Sequence, residues 1–148
     1  VNPEDSNVQR VELVAAALGE LRDQLVLVGG CAVSLLIDSP TAPPPRVTYD
    51  VDLIAEVGGL RGYHALEKEF ARRGFTRDMS PAAPICRWAW GSVKVDLMST
   101  SEAVLGFSNT WYAEAAVCGS CALSDPLHPA QRRHNELDLR AGVSRDQT

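Results

Sequence analysis

Val11, Val14, Leu18, Leu21 and Leu25 recur at helical spacing, which predicts an amphipathic helix with one buried face. Ser6 with Gln9 has the form of a capping box at its start. Leu25 to Val28 is a short apolar run ended by Gly29-Gly30 and reads as a buried strand. Cys31 to Ile37 is apolar again and reads as a short helix launched from the glycine turn. Residues 38–45 are rich in proline, which donates no N–H and extends neither a helix nor a central strand. Val47 to Val57 predicts the next strand, and Leu60 to Arg73 a helix with Tyr63, Leu66 and Phe70 inward and Gly74 as its terminating glycine. Ile85 to Trp90 and Ser92 to Met98 read as two strands around Gly91, with Trp88 and Trp90 on one face. Thr100-Ser101-Glu102 has the residues to cap another short helix. This order predicts an α/β (α+β) fold, a mixed sheet flanked by helices.

Beyond Ala115 the pattern changes: Cys118 to Pro129 shows neither helical nor alternating periodicity. The expected organisation is therefore one folded domain over 1–115 and a divergent, weakly structured tail over 116–148. The chain has 148 residues, 14 Lys plus Arg against 19 Asp plus Glu, and a formal charge of −5, which argues against a generic polyanion binder. No apolar run approaches the ~18 residues of a membrane span, and no signal-peptide pattern opens the sequence. A cytoplasmic protein with reduced thiols at Cys31, Cys86, Cys118 and Cys121 is the expectation. In the tail, Cys118-Gly119-Ser120-Cys121 with His128 and His134 offers zinc-ligand chemistry, but the gap from Cys121 to His128 is shorter than finger spacing.

The sharpest chemical signal is Asp50-Val51-Asp52-Leu53-Ile54. On a strand, residues two apart share a face with Cα atoms ~6.6 Å apart, so Asp50 and Asp52 stand side by side while Val51 and Leu53 anchor the strand. Carboxylates that close repel unless a cation neutralises them. In Val93-Lys94-Val95-Asp96-Leu97 the valines and leucine share one face and Asp96 stands on the other with Lys94. Placed beside the first strand, Asp96 completes a carboxylate triad of the kind that holds Mg²⁺ or Mn²⁺ for phosphoryl displacement. A glycine turn between strand and helix brings backbone N–H groups close to a phosphate, which nominates Gly29 and Gly30, with Ser34 one turn into the helix. Cys31, near a helix N-terminus, is a weaker nucleophile candidate, since burial opposes the dipole.

That ordered set resembles the nucleotidyltransferase fold of the DNA polymerase beta superfamily. Leu27-Val28-Gly29-Gly30-Cys31-Ala32-Val33 and Arg46-Val47-Thr48-Tyr49-Asp50-Val51-Asp52-Leu53 are more specifically similar to AbiEii/AbiGii-toxin-like nucleotidyltransferases, the toxin side of type IV toxin–antitoxin systems. So are the stretch from Pro84-Ile85-Cys86-Arg87-Trp88 through Val95-Asp96-Leu97-Met98 and the later Val104-Leu105-Gly106-Phe107-Ser108-Asn109-Thr110-Trp111-Tyr112. The resemblance covers about 25–115. It implies transfer of an NMP group from an NTP to an acceptor hydroxyl on RNA, protein or a small molecule. Asp50, Asp52 and Asp96 would act as catalytic metal ligands, Gly29 and Gly30 would cradle the triphosphate, and Arg46 would contact phosphate. A cognate antitoxin is the implied partner. Family members carry a lysine and further basic residues in helices after the Trp-Tyr segment, whereas the lysines here are Lys68 and Lys94. The competing expectation is a catalytically incomplete domain of the same fold that binds a nucleotide or a partner protein.

Overall fold

Val51 and Leu53 are fully buried, and the register of their strand decides which face of the sheet carries charge. The structure, a computed structural model, describes residues 2–37, 39 and 41–107. The tail from 116, Trp111-Tyr112, Cys118, Cys121, His128 and His134 lie outside the described residues. Helix α1 spans Ser6–Leu18 and runs into a 3₁₀ segment, Gly19–Gln24. Strand β1 (Leu25–Val28) passes directly into α2 (Gly29–Leu36). Then come β2 (Asp50–Ala55), α3 (Leu60–Arg72), β3 (Thr76–Arg77), β4 (Arg87–Trp90), β5 (Val93–Ser99) and α4 (Glu102–Leu105).

The strands form one mixed sheet in the order β1-β2-β5-β4-β3. β2 and β5 are parallel, and the other neighbours are antiparallel. This is the α/β arrangement the alternation predicts. On one face Val51, Leu53, Val95, Leu97 and Trp88 share a core with Val11, Val14 and Leu18 of α1 and Tyr63 and Phe70 of α3. On the other, Ile54, Cys86 and Met98 form a smaller cluster edged by Val26, Val28 and Leu105. Fully burying a Val or Leu side chain contributes ~1.5–3 kcal/mol, so Val51 and Leu53 hold β2 in place with acidic neighbours on its opposite face. No helix among the described residues is long and apolar enough to cross a membrane.

Several boundaries differ from the sequence expectation for local reasons. The N-cap of α1 is Asp5, not Ser6: the Asp5 carboxylate accepts from the Asn7 N–H, and Gln9 reaches back to the Pro3 carbonyl. Asp and Ser cap equally well, so the residue that chain geometry brought to the extended position took the role. Gly29 and Gly30 are the first two residues of α2 rather than a turn before it. Gly74 ends α3 as expected. At φ +87° it donates to Ala71, while Phe75 donates to Phe70 and stacks against it at 4.8 Å, a complete Schellman motif with its apolar contact. Trp90 pairs with Val93, so the β4–β5 hairpin closes over Gly91-Ser92 and not over Gly91 alone. The two-residue β3 was not legible as a strand, being too short to alternate.

Asn7 is fully buried and ties three segments together. Its Nδ2 donates to Ser34 Oγ (2.8 Å) and to the Arg46 carbonyl (3.1 Å), and its Oδ1 accepts from the Thr48 N–H (3.0 Å). Asn7→Ala leaves those buried groups without partners and is expected to lower stability by ~2–4 kcal/mol. Urea unfolding at unchanged m-value measures it.

Candidate active site

Asp50 and Asp52 project from the face of β2 opposite Val51 and Leu53, as alternation requires. Parallel pairing sets Asp52 directly beside Asp96 on β5, and antiparallel pairing sets it beside Val28 at the end of β1. The residue after Val28 is Gly29, so the strand–glycine–helix junction abuts the carboxylates. One oxygen from each of Asp50, Asp52 and Asp96 lies within 4.8 Å of the others. An octahedral ion with ~2.1 Å bonds spaces its ligand oxygens ~3–4.2 Å apart. The triad's spacing lies close to that range, so its donor set suits a divalent cation.

Gly29 is part of the geometry and not only of the turn. Its φ is +73°, and a Cβ there would lie 2.1 Å from Asp52 Oδ2. A Cβ at Gly30 would lie 2.7 Å from Thr48 Cγ2. Only glycines allow α2 to start this close to the carboxylates. Among the described residues no side chain caps α2, an eight-residue helix whose positive end lies beside the triad.

The Asp52 carboxylate makes no hydrogen bond or ion pair among the described residues. Burial first, then the charges of Asp50 and Asp96, push its carboxyl up to about 6, with Arg87 opposing. The other two carboxylates are held. Thr48 Oγ1 sits 2.9 Å from Asp50 Oδ1. Arg87 forks onto Asp96, Nε to Oδ1 at 2.8 Å and Nη2 to Oδ2 at 2.7 Å, and its Nη2 also reaches Asp50 Oδ2 at 2.9 Å. The hydrogen bonds to Asp96 are the main reason the guanidinium is held above its ordinary range.

The nominated residues separate into two groups. Asp50, Asp52, Asp96, Gly29 and Gly30 come together. Ser34 does not join them: it is buried, and its hydroxyl accepts from Asn7 on α1. Arg46 is exposed, and it is its backbone carbonyl that accepts a hydrogen bond, from Asn7 Nδ2. The sequence reading missed Arg87, Thr48 and Asn7. The signal for Arg87 was present: with Trp88 and Trp90 inward, alternation puts Arg87 on the carboxylate face.

Cys31 is fully buried. Its thiol points at the Asp50 carbonyl (3.4 Å), and burial followed by the Asp52 charge pushes it up to about 12. Burial likewise pushes Cys86 up to about 11. The number of thiols titrated by an aromatic disulfide reagent in the native protein is therefore expected to be the same in Cys31→Ala and Cys86→Ala as in wild type. His64 is exposed and pairs with Glu67, a surface contact away from the triad. Comparison with protein-family models and with curated protein sequences finds no match for this chain.

Proposed function

We propose that the chain is a divalent-metal-dependent nucleotidyltransferase of the AbiEii/AbiGii toxin-like kind, moving an NMP group from an NTP to an acceptor hydroxyl. The observation that carries this reading is the convergence of Asp50, Asp52 and Asp96 on one face beside the Gly29-Gly30 start of α2. Mg²⁺ or Mn²⁺ held there supplies charge neutralisation at the phosphates and lowers the pKa of an acceptor hydroxyl. The chain's own part is placement. Asp50 and Asp96 are fixed by Thr48 and Arg87, and Asp52 offers an unpaired carboxylate. Gly29, with no side chain, lets the first turn of α2 start against the Asp52 carboxylate, where its N–H groups could serve a phosphate held by the metal. RNA, protein and small molecules are the candidate acceptors, and an antitoxin is the candidate partner.

Incubation with each α-labelled NTP, Mg²⁺ or Mn²⁺ and total RNA or protein tests the reading. Label is expected in an acceptor with wild type and not with Asp50→Asn/Asp52→Asn. No transfer from any of the NTPs overturns it.

One observation favours a second reading. A single guanidinium, Arg87, already pairs with both Asp50 and Asp96, as suits a module that binds a nucleotide or a partner without catalysis. On that reading NTP affinity is independent of divalent cations.

A further inference from the structure

Arg87 Nη2 lies between two carboxylate oxygens, 2.9 Å from Asp50 Oδ2 and 2.7 Å from Asp96 Oδ2. A divalent cation shared by those two residues needs the same space, at ~2.1 Å from each oxygen. Guanidinium and metal cannot occupy it together. We propose that Arg87 is a built-in counter-ion which occupies the cation position shared by Asp50 and Asp96, so that divalent metal binds there only as the guanidinium withdraws. The inference rests on the metal-site reading of the triad.

Three features support a resident ion of this kind. Arg87 is placed by backbone register and not by chance of rotamer: on β4 it pairs directly opposite Asp96 on β5. The fork onto Asp96 uses both carboxylate oxygens, the geometry in which Arg exceeds Lys. And it divides the triad unequally, taking Asp50 and Asp96 and leaving Asp52 unpaired. The charge balance follows. Three carboxylates and one guanidinium leave two negative charges, and withdrawal of the guanidinium raises that to three, which favours a divalent ion in its place. The Asp50–Asp96 side is occupied until Arg87 leaves. Once released, the guanidinium is a planar, bidentate donor suited to phosphate.

This gives a sign that distinguishes a competitor from a mere organiser of the carboxylates. If Arg87 competes with metal, removing its charge tightens metal binding. If it only holds the carboxylates in place, removal weakens binding. Mn²⁺ binding is measured by calorimetry, with the free ion followed by electron paramagnetic resonance, for wild type, Arg87→Gln and Arg87→Lys. Arg87→Gln is expected to bind Mn²⁺ about tenfold more tightly, ~1.4 kcal/mol. Arg87→Lys, which keeps the charge and loses the fork, is expected to fall between. Far-ultraviolet circular dichroism of each metal-free variant checks the fold.

A second measurement needs only wild type. The Arg87 Nε–H resonance, assigned by its loss in Arg87→Lys, is expected to be slow to exchange in metal-free protein. It should shift and become fast-exchanging at saturating Mg²⁺. Equal or weaker Mn²⁺ binding by a folded Arg87→Gln, or a Nε–H resonance unmoved by Mg²⁺, overturns the proposal. If Asp50→Asn/Asp52→Asn binds Mn²⁺ like wild type, the metal-site reading itself has failed. If that variant loses Mn²⁺ while Arg87→Gln gains nothing, only the counter-ion role has failed.

Discussion

Asp52→Asn is expected to stabilise the metal-free protein at neutral pH and to abolish its stabilisation by Mg²⁺ or Mn²⁺. The native fold holds the Asp52 carboxyl at about 6 against an ordinary 3.8. A raised native value means that the folded state binds more protons than the unfolded state between those two pH values. Stability therefore falls as pH rises from about 4 to about 6 and stays at the lower level beyond. The full difference carries at most ~3 kcal/mol, and solvent near a half-buried group reduces it to ~1–3 kcal/mol. Asn keeps the shape and removes the charge, so the variant gains that amount above pH 6 and gains nothing below pH 4. Metal offsets that gain. A ligand that binds only the folded state at 100 times its Kd adds ~2.7 kcal/mol to wild type, and nothing to a variant that has lost the unpaired carboxylate. If the proposed nucleotidyl transfer is measured, Asp52→Asn should lower it by ~100-fold or more. Thermal melts of both proteins from pH 4 to 8, in chelator and in excess Mg²⁺, check both effects. A variant less stable than wild type in chelator at pH 7, or one that still responds to Mg²⁺, counts against the assignment.

What was legible in the sequence followed from period-two alternation, and what was not depended on partners distant along the chain. Asp50 and Asp52 face together because Val51 and Leu53 must be buried, and Asp96 joins them because Val95 and Leu97 obey the same rule on the neighbouring strand. These are local constraints that a single strand declares. Ser34 is different. A helical side chain near a site can turn to any neighbour, and the neighbour here is Asn7, 27 residues away. Arg46 sits where a proline-rich loop meets β2, and Asn7 grips its backbone, a preference invisible in residue type. Arg87 was missed as a site residue for another reason. Alternation gives its face, but its opposition to Asp96 depends on hairpin register, which the loop fixes at two residues, Gly91 and Ser92. Reading that loop one residue short shifts the pairing and hides the contact.

Gly29→Ala is expected to damage the site more than any other substitution of a single hydrogen by a methyl group. Two costs add. The backbone at Gly29 has φ +73°, a conformation that costs an L-residue ~1–2 kcal/mol. The new Cβ would also lie 2.1 Å from Asp52 Oδ2, 3.0 Å from Cγ and 3.3 Å from Cβ of the same residue. Contact along the whole side chain cannot be relieved by a swing of its tip alone, so the carboxylate leaves the position it shares with Asp50 and Asp96. Loss of metal-induced stabilisation and of transfer activity should accompany a stability loss of ~2–4 kcal/mol. Gly58→Ala is the control, because a Cβ there meets nothing within 4 Å. The clash is separable from the backbone cost by a double-mutant cycle with Asp52→Ala, which empties the space the methyl group needs. Urea unfolding of the four proteins should give a favourable coupling of ~1 kcal/mol or more between the two sites. Additive effects would mean that α2 does not begin against Asp52, and the placement of the glycine junction beside the carboxylates would have to be abandoned.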